Sequence, residues 1–116
     1  MTLTASANHA FRFTLDGKHI PEEHHQAIRE LQRRYAFAEH EATGGERANA
    51  LIVDELGLTN YLADRFLLCG SPAEFRDRLK GLADLGVSKV LLAFFGETDR
   101  DAKHDRLAAE VLPAFR

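Results

Sequence analysis

The sequence predicts an α/β fold with parallel strands, on three observations. First, the C-terminal half reads as one continuous strand–helix–strand unit: FLLC at residues 66–69, GSPAEFRDRLKGLADLG at 70–86 and VSKVLLAFFG at 87–96. A crossover of that kind joins parallel strands. Second, the stretch around residues 89–95 is nearly all apolar, as a parallel strand covered on both faces would be. Third, the loop between the first strand and its helix is short and carries helix-start chemistry, at the strand end where α/β folds place ligands.

The elements before that unit are read in chain order. Residues 1–18 are expected to be a loose N-terminal segment, with residues 1–8 small and polar. Within it Phe11, Phe13 and Leu15 alternate with Arg12, Thr14 and Asp16. A period of two predicts a short strand or extended segment, the alternative being a helix remnant of a larger fold. Asp16-Gly17 marks a turn. Pro21 then opens a long helix at a position where its missing N–H costs nothing, and Glu22 and Glu23 suit the positive helix end. Its apolar stripe is Ile28, Leu31, Tyr35 and Ala38, and Thr43-Gly44-Gly45 stops it. A second helix is expected over residues 46–56, with Ala48, Leu51, Ile52 and Leu56 inward and Gly57 as its end. A short helical turn over 58–64 leads into the Phe66 strand.

The next helix has a full start signal. Ser71 is the N-cap, Pro72 the first helical residue and Glu74 the partner in an S-x-x-E capping box. Phe75, Leu79, Leu82 and Ala83 line its buried face, and Gly86 ends it. After the apolar strand, residues 96–100 form a polar loop. A last helix over 101–115 turns Leu107, Val111, Leu112 and Phe115 to one side.

Composition narrows the function classes. The chain has 116 residues, a formal net charge of −3 and 45% hydrophobic residues, which suits a globular domain. So near-neutral a balance offers no electrostatic case for nucleic acid or an anionic membrane. The single cysteine, Cys69, cannot form an internal disulfide and fits a reducing compartment. The first residues lack a signal-peptide pattern, and no apolar run approaches the roughly 20 residues needed to span a bilayer. A soluble, cytoplasmic protein is expected.

Few residues suggest chemistry. Six histidines occur, His9, His19, His24, His25, His40 and His104. His24 and His25 are neighbours, so on a helix they diverge by roughly 100° and cannot share a metal from one face. No metal site is expected. Cys69 could be activated by the helix start beyond it, but no base partner can be assigned, and a small buried residue at a strand end is the simpler reading. The Gly70-Ser71-Pro72 loop could hold a phosphate through free N–H groups and the helix dipole. Alternatively Ser71 uses its oxygen to cap its own helix. Neither G-x-G-x-x-G nor the P-loop pattern is present. Glu97, Thr98 and Asp99 are possible ligand contacts in the last loop.

The passage YLADRFLLCGSPAEFRDRLKGLADLGVSKVLLAFFG, followed by RLAAEVLPAFR, resembles the C-terminal end of luciferase-like flavin-dependent oxidoreductases (luciferase-like monooxygenases). The shared features are the strand ending in Gly70-Ser71-Pro72-x-Glu74, the L-x-x-L-x-x-L-G-V run over 79–87, the apolar strand 90–95 and the closing E-V-L-P at 110–113. FTLDGKHIPEEHHQAIRELQRRYAFAEHEA, upstream, is similar to some members as well. The resemblance implies a partial (β/α)8 TIM barrel: the last two or three βα units, preceded by a long helix, over residues 19–116. It implies FMN or a deazaflavin coenzyme in the parent enzyme and a small organic molecule as substrate. Gly70 and Ser71 would lie on the cofactor-bearing face. No catalytic residue carries over, and the chain alone is expected to hold no flavin tightly. A complete barrel takes about 250 residues. The chain therefore reads as the terminal fragment of such an enzyme, inactive alone, or as a free-standing small α/β binding or assembly module. In either case the edges of an incomplete sheet predict self-association.

Overall fold

A computed structural model describes residues 3–39, 48–93 and 99–115. Its elements are helical: α1 (Leu3–Ala10), α2 (His25–Arg34), α3 (Ala48–Glu55), α4 (Thr59–Phe66), α5 (Pro72–Asp84) and α6 (Arg100–Arg106). Shorter 3-10 turns precede and follow α2, and a π-helical turn, Leu107–Val111, continues α6 into a last 3-10 turn, Leu112–Phe115. Among the described residues there is no strand, so the expected α/β fold and partial (β/α)8 barrel are overturned. Phe66 is the last residue of α4, not the first of a strand. Leu67 is extended, at φ −121° and ψ 148°, but a strand exists only through ladder bonds to a neighbour, and none of the described residues provides one. Residues 87–93 likewise carry no regular structure, and Phe94 and Phe95 lie outside the described residues.

The chain divides into two compact units, Met1–Leu67 and Leu68–Arg116. The core of the first gathers Ala7, Phe11, Leu15, Ile20, Ile28, Leu31, Ile52, Val53, Leu58 and Leu62. The segment expected to be loose is its hub: α1 packs against α2, α3 and α4. Its residues are small, which misleads a search for apolar stripes. Alanine is the best helix former, and small side chains let other helices approach closely. Thr4, Ala5 and Ala7 are all buried.

The long helix expected from Pro21 is interrupted. Ile28 and Leu31 are buried as read, but α2 stops at Arg34, and Tyr35 turns to ψ 119°. The cause is a side chain elsewhere. Buried Asn49, on α3, accepts a hydrogen bond from the Ala36 N–H and donates one to the Ala36 carbonyl, both 2.8 Å. Ala36 thus satisfies both backbone groups without continuing the helix. Thr4 Oγ1 of α1 donates in turn to the Asn49 carbonyl. Thr43-Gly44-Gly45, the expected stop, lies outside the described residues.

The burial of α3 is rotated from the expected face. Asn49, Ile52 and Val53 face inward, whereas Leu51 is exposed. Gly57 ends it as read, at φ +66°. The Gly57 N–H bonds to the Asp54 carbonyl and the Leu58 N–H to that of Val53, both 2.9 Å, which closes a Schellman motif. That turn drives Leu58 back into the core, where it is fully buried.

Between α1 and α2 the expected alternation fails at one residue. Phe11 and Leu15 are buried, but Phe13 is 92% exposed. Phe13 has φ +73°, and the Thr14 N–H bonds to the Arg12 carbonyl at 3.0 Å. This is a γ-turn of the strained kind, rare for a bulky residue. Cationic side chains hold the loop. Lys18 Nζ donates to the carbonyls of Ala10 (2.6 Å) and Arg12 (3.0 Å), and Gln32 Nε2 to that of Phe11 (2.7 Å). Arg65 of α4 donates to the carbonyls of Lys18 (2.6 Å) and His19 (3.4 Å) while lying over the Phe11 ring.

Replacing Asn49 by leucine keeps its bulk and leaves both Ala36 groups unpaired. A loss of about 2 kcal/mol in urea unfolding is expected. Asn49→Asp, which keeps the acceptor but buries a charge and turns its second oxygen toward the Ala36 carbonyl, should cost at least as much; an Asp variant as stable as the wild type would argue against the clasp.

Candidate functional site

The sequence singled out the loop at Gly70 and Ser71, and the structure builds it fully. Gly70 sits at φ +128°, a conformation for glycine, and a Cβ there would meet Glu74 Oε2 at 2.8 Å. Ser71 is extended (φ −65°, ψ 160°) and caps α5, its Oγ accepting from the Glu74 N–H at 3.3 Å. Glu74 Oε2 reaches back and accepts from both the Ser71 N–H and the Ser71 hydroxyl, each at 2.7 Å. Both halves of the capping box are present, with Pro72 opening the helix as read. The Glu74 carboxylate and the Ser71 hydroxyl thus take up the Ser71 and Glu74 N–H groups that a bound anion could otherwise use at this helix start. The bonds that the Glu74 carboxylate accepts stabilise its ionised form, so its pKa is lowered, first by the Ser71 hydroxyl and then by the Ser71 backbone.

The far end of α5 also follows its sequence signal. Gly86 has φ +89°, its N–H bonds to the Ala83 carbonyl (2.8 Å), and the Val87 N–H bonds to that of Leu82 (3.1 Å), a second Schellman motif. The expected buried face is narrower than read. Leu79 is buried, Phe75 and Leu82 are half-buried, and Ala83 is exposed. α5 packs on the Leu107–Val111 turn, where Val111 is buried. Arg76 there donates to the Glu110 carbonyl at 2.5 Å.

Other candidates scatter. Cys69 is exposed, not the buried strand-end residue expected, and carries a free thiol. Asp99 is the left-handed residue before α6, at φ +61°, with no side-chain cap. Glu97 and Thr98 lie outside the described residues, as does His40. His24 stacks on Tyr61 with centroids 4.2 Å apart, and the His25 Nε2 lies 3.0 Å from the Ile20 carbonyl, which accepts its proton. Among the described residues no three of His, Cys, Asp or Glu come together as a metal site. Nor does any buried side-chain nitrogen or oxygen among them lack a partner. No helix among them is long and apolar enough to cross a membrane.

Sequence reasoning missed the polar cluster around Arg65. Its guanidinium reaches Lys18, His19 and the Tyr61 hydroxyl (3.3 Å), joining α4 to the loop after α1. Those contacts span 46 and 47 residues of sequence, and an arginine on an amphipathic helix gives no local sign of them.

No family model, no curated protein and no solved structure matches this chain.

Two outcomes test the capping box. Ser71→Ala should destabilise α5 by about 1 kcal/mol, the ordinary cost of a lost N-cap, as read by thermal or urea unfolding. An unchanged midpoint would show that the hydroxyl is not needed by the helix. The second outcome is a pH dependence. The folded pKa of Glu74 lies below its ordinary 4.5, so its contribution is complete above that value and is lost as pH falls through the folded value. Acid titration of helicity below pH about 4.5 should therefore show a step in the wild type that Glu74→Gln lacks. Identical curves would remove the capping box from the acid response.

Proposed function

We propose that this chain is the C-terminal part of a luciferase-like flavin-dependent oxidoreductase, cytoplasmic and inactive alone. The parent reaction would use reduced FMN or a deazaflavin coenzyme on a small organic substrate. The observation that carries the reading is the order and spacing of the motifs from Gly70 to Pro113. Of those motifs the helix start is formed, with Ser71 and Glu74 in a complete box and Gly86 as the stop, while the strands expected on either side of it are not present among the described residues. Gly70 and Ser71 are then the residues of this chain nearest the coenzyme. A role for them in binding requires Glu74 to give up its bonds to Ser71.

A second reading, a non-catalytic binding or assembly module, is favoured by the exposed apolar side chains of the second unit. Leu85 and Leu91 are 83% and 97% exposed, and Val87 and Val90 are also open to solvent.

The coding DNA upstream of Met1 separates the readings. The first expects it to continue in frame into coenzyme-binding sequence; an immediate in-frame stop codon would overturn it. For the chain alone, titration with FMN and with a deazaflavin coenzyme, followed by fluorescence, is expected to show no binding tighter than roughly micromolar, about −8 kcal/mol. A tighter complex would contradict the claim that the chain holds too little of the site.

A further inference from the structure

We draw no further inference here: the strongest candidate, the exposed apolar segment just after α5 that carries Leu85, Val87, Val90 and Leu91, supports none because nothing in the structure shows what covers it.

Discussion

The first unit depends on one carboxamide. Asn49 bonds twice to Ala36 and, through its own carbonyl, takes the hydroxyl of Thr4. Three segments distant in sequence thus meet at one buried residue, one through its backbone and one through its carboxamide. The geometry resembles a single rung of a ladder, made by a side chain in place of a strand. It explains why α2 ends where its apolar stripe could have gone on, and why α1 is held tightly although its residues are small. Burial of Leu31, Ile28 and Ile52 supplies the bulk of the driving force. Burial alone is non-directional, and the carboxamide adds the specificity.

Around that core the long cationic side chains act as ties more than as charges. Lys18 and Arg65 donate to backbone carbonyls of the loop between α1 and α2, and Arg65 also covers the Phe11 ring. A residue held at φ +73° costs about 1–3 kcal/mol and persists only where its surroundings fix it. Here the fixing groups are identifiable: Lys18 on one carbonyl of the γ-turn, Gln32 on the residue before it, and buried Phe11 and Leu15 on either side.

Local signals were legible in the sequence and non-local ones were not. Ser71, Pro72, Glu74, Gly57 and Gly86 each act within five residues of chain, and each behaves as its chemistry predicts. The strands were misread because apolar, β-prone stretches report a preference for extended backbone, while a strand also needs a partner that no window of sequence contains. Phe13 broke the alternation because one backbone dihedral redirects a side chain that periodicity places inward. Asn49 and Arg65 were invisible because their partners lie 13 and about 46 residues away. Of the candidate site, the helix start was read correctly down to its hydrogen bonds. Its status as a cofactor position came from resemblance and not from geometry.

The filled state of that helix start has a kinetic and competitive meaning. The Glu74 carboxylate is tethered to the very amide it occupies, so it competes as an intramolecular ligand at an effective concentration of the order of millimolar or more. A phosphate arriving from solution meets a position already neutralised and already bonded. A free anion at cellular abundance would displace the carboxylate only with contacts from elsewhere to help it. Any ligand drawn to this helix start would therefore compete with a partner the chain itself holds in place.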